Sequence, residues 1–112
     1  MHELSIAKSI VDVVKGNLPD DHDVRVLSVS IRVGEYSGVE PSALTEAFPA
    51  ACFETPLENA TLTIELLKAT YKCNACGTSF PAAAGLCPRC NSTDYVFESG
   101  MELDILSFDI ED

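Results

Sequence analysis

Cys73-Asn74-Ala75-Cys76 and Cys87-Pro88-Arg89-Cys90 are two Cys-x-x-Cys pairs separated by ten residues, and no other feature of the chain restricts its folding as strongly. A two-residue spacer lets both thiolates of a pair curl around one ion, and four soft ligands at about 2.3 Å complete the tetrahedral shell that Zn²⁺ takes. The spacing predicts two knuckles tied by structural zinc, with Cys73, Cys76, Cys87 and Cys90 as ligands. Gly77 follows the first pair where such a turn often needs positive φ, and Pro88 stiffens the second. The interval is short for a zinc ribbon, and a rubredoxin-like iron centre is the rival reading of four thiolates. A closed shell of four thiolates leaves no open position for water or substrate, so the knot is read as structural.

The zinc ribbon's common association with nucleic acids is set aside by charge. Seven Lys and Arg against 18 Asp and Glu give 7 − 18 = −11, and four metal-bound thiolates add about −2 more. Such a surface repels phosphate backbones and suits a cation or a basic protein partner. With 112 residues the chain is expected to form one domain. Four cysteines in metal spacing and one left over point to a reducing compartment rather than a disulfide scaffold. No apolar run reaches the length of a membrane span, and the first residues lack a basic leader with a long apolar region. The expectation is a cytoplasmic protein.

Along the chain, Leu4, Ala7, Val11 and Val14, widened by Ile6, Ile10 and Val13, have helical period. Gly16 and Pro19 stop that helix. Residues 19–23, including His22, read as a solvated loop. Leu27, Val29, Ile31 and Val33 alternate with Ser28, Ser30 and Arg32 as a half-buried strand, with Val24 and Val26 out of phase and a bulge expected near Leu27. Glu40-Pro41-Ser42 opens a second helix through Leu44, Ala47, Phe48, Ala51 and Cys52, in which Pro49 predicts a kink. Cys52, on its apolar side, reads as a buried free thiol. Leu62, Ile64 and Leu66 form a second strand running into Tyr71-Lys72-Cys73. A last strand over 101–110 shifts phase near Leu106. Strand, helix and strand in succession predict a parallel pair joined by a right-handed crossover.

The expected architecture is α+β, two helices on a small three-stranded mixed sheet with an inserted zinc-ribbon-like lobe. Residues 1–70 and 96–112 would form one discontinuous domain and residues 71–95 the lobe. No internal repeat is read. The last stretch, 94–112, has seven acids and no base, which blunts an edge strand against pairing.

Catalysis finds no footing. The chain has no phosphate-binding glycine loop, nucleophile elbow or metalloprotease helix, and only His2 and His22 as imidazoles. An enzyme is not expected. The amino terminus is the remaining oddity. The Met1 amine, the His2 amide nitrogen and the His2 imidazole can close fused chelate rings on one ion, and square-planar nitrogen coordination favours Ni²⁺ or Cu²⁺. A histidine after an initiator methionine is, however, commonly incidental, and at this level both readings stand.

Met1-His2-Glu3-Leu4-Ser5-Ile6-Ala7, Ile31-Arg32-Val33-Gly34, Thr63-Ile64-Glu65 and Ser99-Gly100-Met101-Glu102-Leu103 together resemble the HypA family of nickel-incorporation proteins. The resemblance covers essentially the whole chain. It implies a metallochaperone that delivers Ni²⁺ to the large subunit of a nickel-iron hydrogenase with a maturation GTPase, and urease maturation proteins as further partners. It implies that His2 is the nickel ligand, by imidazole and backbone amide, with the Met1 amine and the Glu3 amide as lesser candidates. It also implies that Cys73, Cys76, Cys87 and Cys90 hold zinc. The chain departs from the pattern in its short cysteine interval, in the absence of histidine from that interval, and at Pro49. The alternative reading is a zinc-ribbon interaction adaptor without nickel delivery.

Overall fold

The computed structural model describes residues 3–19 and 24–111. Helix α1 (Glu3–Gly16) buries Ala7, Ile10, Val11 and Val14, an i, i+3, i+4, i+7 set that makes one apolar stripe. The stripe is narrower than the sequence implies, because Leu4 and Val13 are 41% and 50% exposed. Strand β1 (Val26–Gly34) is central to a mixed sheet, parallel to β2 (Thr61–Leu67) on one side and antiparallel to β6 (Leu103–Ile110) on the other. Helix α2 (Pro41–Cys52) crosses between the parallel strands. Both helices share one core with the sheet, built around Val29, Ile31, Val33, Leu44 and Phe48.

Two register shifts decide which side chains enter that core. Between the pairs Val26↔Ile110 and Ser28↔Asp109, β1 carries Leu27 as an extra residue. Val26 is thereby buried and Leu27 is 52% exposed, the reverse of the alternation that grouped Leu27 with Val29. Between Ser30↔Ser107 and Ile31↔Ile105, β6 carries Leu106 as the extra residue. A bulge lets the strand change phase without losing its apolar face, so Leu103, Ile105, Phe108 and Ile110 all oppose core-facing partners. Leu66 pairs with Val33 yet is 63% exposed, because it stands at the end of the sheet.

Helix α2 starts as its first residues dictate. Pro41, which has no N–H to leave unpaired, opens the helix, and the Glu40 carboxylate accepts from the Ser42 amide at 3.2 Å and the Ser42 hydroxyl at 2.9 Å. The helix runs through Pro49 and stops at Cys52, so the proline sits in its last turn.

The inserted segment has a sheet of its own, antiparallel in the order β4-β3-β5, from β3 (Thr70–Cys73), β4 (Ser79–Pro81) and β5 (Tyr95–Ser99). Lys68 and Ala69 separate β2 from β3, where the sequence reads as one continuous strand. Cys73, Phe80 and Cys87 form a second small core, flanked by Tyr71 and Tyr95.

A neck of backbone contacts joins the two sheets. The Gly34 amide donates to Glu102 O at 2.7 Å and the Tyr36 amide to Gly100 O at 2.6 Å. The Glu35 carboxylate accepts from the Ala69 amide at 2.7 Å. A Cβ on Gly34 would stand 2.3 Å from the Gly100 carbonyl, and one on Gly100, whose φ is +130°, 2.6 Å from the Ala69 Cα. Only glycine permits this approach. Aromatic rings run beside the neck. Phe80 and Tyr71 both lie against Tyr95, Tyr71 meets Phe97 edge-on at 6.3 Å, and Phe97 stacks on Tyr36 at 6.5 Å.

Candidate metal centre

The four sulfurs predicted as zinc ligands come together. The Sγ atoms of Cys73, Cys76, Cys87 and Cys90 all lie within 4.8 Å of one another, with Cys73 to Cys90 at 3.5 Å and Cys76 to Cys87 at 3.6 Å. A tetrahedron with metal–sulfur bonds of about 2.3 Å has edges of about 3.8 Å, so the cluster already has the dimensions of a four-thiolate site. The close pairs join one knuckle to the other, as one shared ion requires.

Each knuckle is built by the same three steps. The Cys73 amide donates to Thr78 O at 2.9 Å and the Gly77 amide to Cys73 O at 2.9 Å; the Cys87 amide donates to Ser92 O at 3.0 Å and the Asn91 amide to Cys87 O at 2.8 Å. The residue after each second cysteine adopts positive φ, +78° at Gly77 and +62° at Asn91, and Asn is among the few side chains that tolerate this. The unit Cys-x-x-Cys-(Gly/Asn)-(Thr/Ser) therefore occurs twice, at 73–78 and 87–92. The repeat is hard to see in the sequence because only the cysteines are identical between its two copies. Asn74 ties one knuckle to the strand leaving the other, its amide nitrogens bonding Asp94 O and Asp94 Oδ1 at 2.9 Å each.

The site's electrostatics call for a cation. The Thr78 hydroxyl, 3.1 Å from Cys76 Sγ, and the Thr78 amide hold the Cys76 thiol down at about 6. Cys90 moves the other way, to about 12: the Ser92 amide lowers it, but the Cys73 sulfur, desolvation and the other two sulfurs outweigh that. One thiolate suppresses ionisation of its neighbours, and only a positive charge among them lets all four ionise. Bound zinc would supply that charge and cross-link the knuckles.

Cys52 takes no part. It is buried at the end of α2 with its thiol pushed up to about 11 by burial, as an inert apolar filler should be. Of the predicted nickel ligands, Glu3 opens α1, where its negative charge favours the helix start. Met1, His2 and His22 lie outside the described residues.

Comparison with known proteins gives consistent matches over the whole length. Residues 1–110 match the family model described as "Hydrogenase/urease nickel incorporation, metallochaperone, hypA". The hydrogenase maturation factor HypA of Chlorobaculum parvum is 40% identical over 113 residues, covering 99% of this chain and 100% of that protein. The factor of the same name from Geobacter metallireducens is 34% identical, again with 99% and 100% covered. Among solved structures, a solution structure of HypA protein superposes with TM-score 0.67 at 26% identity, covering 99% of this chain and 97% of that one. The solution structure of the Ni metallochaperone HypA from Helicobacter pylori gives TM-score 0.65 at 24% identity, with 98% and 97% covered, and shares the fold.

Proposed function

The chain belongs to the HypA family of nickel metallochaperones for hydrogenase maturation, and we propose from that premise that His2 is where this chain carries its Ni²⁺. The imidazole and backbone amide of His2 bind the ion, with the Met1 amine and the Glu3 amide completing the donor set. The observation that carries this reading is the extent of the family match: it begins at residue 1 and takes in the four-cysteine zinc site as well. Nitrogen donors in fused chelate rings suit Ni²⁺, and each must lose or lack a proton, so binding weakens as pH falls. A site at a chain end with few protein ligands releases its ion readily, as delivery requires.

The recipient is the large subunit of a nickel-iron hydrogenase, delivery involves a maturation GTPase, and urease maturation proteins are further partners. The work is carriage in the cytoplasm and not catalysis. The division of labour follows the neck: residues 1–70 and 96–112 as the nickel-binding body, 71–95 as the zinc lobe, although the lobe's sheet also takes in Thr70 and Val96–Ser99. Nothing in the site or among the relatives favours a zinc-ribbon adaptor that leaves nickel alone.

The test is a Ni²⁺ titration of tag-free, zinc-loaded protein beside His2→Ala. The native chain should bind about one Ni²⁺, and His2→Ala, or residues added before Met1, should abolish it while zinc content stays the same. Equal nickel uptake by the variant would remove the site from the amino terminus.

A further inference from the structure

Sheet β2-β1-β6 ends at β6, which pairs with β1 alone. Beside it lies a mainly apolar groove of about 250 Å³ lined by Ile6, Ser9, Ile10 and Val13 of α1 and Leu103 and Ile105 of β6. Val13 is 50% and Leu103 40% exposed. Helix and strand thus leave part of the core layer open beside the first residues of β6.

The opposite face of β6 carries the charge. Asp104 opposes Arg32 in register, but the Arg32 guanidinium turns to Glu65 on the far strand at 3.3 Å. That is the only salt bridge among the described residues, and Asp104 is left without a cation there. Asp109 accepts from the Ser28 hydroxyl at 2.8 Å and meets no cation among the described residues.

We propose that the β6 edge is a docking site for an extended segment of a partner protein in which apolar residues alternate with Lys or Arg. Three properties of the edge select that occupant together. The outward backbone groups of an edge strand pair with an added strand. Alternation sends every second side chain of that strand into the groove over Ile6 and Val13. The others fall on the polar face beside Asp104 and Asp109, within the distance over which opposite charges on neighbouring strands attract. A second copy of this chain is disfavoured by the same charges, since Glu102, Asp104, Asp109 and Glu111 of each copy would meet their equivalents in a molecule of net charge −11. A helix would fill the groove but leave the strand's backbone groups unused. The surface is separate from the zinc centre and does not depend on nickel binding at His2.

The probe is an acetylated heptapeptide of alternating lysine and valine, titrated into zinc-loaded, ¹⁵N-labelled full-length protein. Two controls have the same length: one with all its backbone amides N-methylated, which keeps charge and side chains but removes donors, and one with glutamate in place of lysine. The expected result is saturable binding with shifts confined to β6 and the groove side of α1, slowed amide exchange on β6, and at least tenfold weaker binding of both controls. Asp104→Asn with Asp109→Asn should weaken the lysine peptide by roughly threefold to tenfold, with the fold checked by circular dichroism. No saturation at millimolar peptide, equal binding of the N-methylated peptide, or shifts centred elsewhere would overturn the proposal. A concentration-dependent dimer whose contact shifts fall on β6 would overturn it in favour of a second copy.

Discussion

At Gly34 another stretch of backbone occupies the space a side chain would need. A methyl group there would meet the Gly100 carbonyl carbon and oxygen at 2.3 Å, and neither belongs to a side chain that can swing aside. Gly34→Ala should therefore destabilise the fold by about 1–3 kcal/mol or more, the range for forced overpacking. Urea denaturation of the zinc-loaded protein checks it, and a midpoint equal to that of the parent would show that the neck yields to a side chain at this position. Cys52 gives a prediction of the opposite kind, in pH. Its thiol ionises near 11 when buried and near its ordinary value of 9 in the unfolded chain. The stability that depends on keeping it neutral is thus fully present below pH 9 and is lost as pH rises through 11. Unfolding curves of the parent should fall more steeply across that interval than those of Cys52→Ala; parallel profiles would contradict it.

Among the elements, period-two alternation marked β1, β2 and β6, and the breaks in alternation at Leu27 and Leu106 marked both bulges. These were legible because a strand buried on one face has to show its phase, and a bulge has to disturb it. Sheet β4-β3-β5 was not legible, since β3 has four residues and β4 three, too few to show a period. Its order comes from the metal instead. Two knuckles tie the ends of β3 and the chain entering β5 to one point, and ligand spacing alone located all four sulfurs. The neck escaped sequence reading for a different reason: Gly34, Ala69 and Gly100 carry no pattern, and what joins them is contact between segments far apart in the chain. Removing zinc with a chelator should accordingly release the lobe first. Amides of Cys73, Gly77, Cys87 and Asn91 should exchange freely while those at the centre of β1 remain protected, because zinc binding is folding energy for small knuckles and the larger core has its own apolar contacts. Unchanged exchange in the knuckles after chelation would make the zinc dispensable to the lobe.

The whole molecule measures 57 × 25 × 17 Å and has two cores, one in each sheet. The neck fixes how one sheet is carried on the other. The chain contains no tryptophan and three tyrosines, and Tyr36, Tyr71 and Tyr95 all belong to the run of rings along the lobe and neck. The helices and the sheet they cover hold no tyrosine or tryptophan among α1, α2, β1, β2 and β6. Ultraviolet emission and near-ultraviolet dichroism are therefore an unlabelled readout of one half of the protein. Stripping zinc should change both signals while the far-ultraviolet helix signal persists, and optically silent stripping would mean that the rings hold their places without the metal. An optical titration with zinc can then be followed in the wild-type chain, with no dye and no engineered residue.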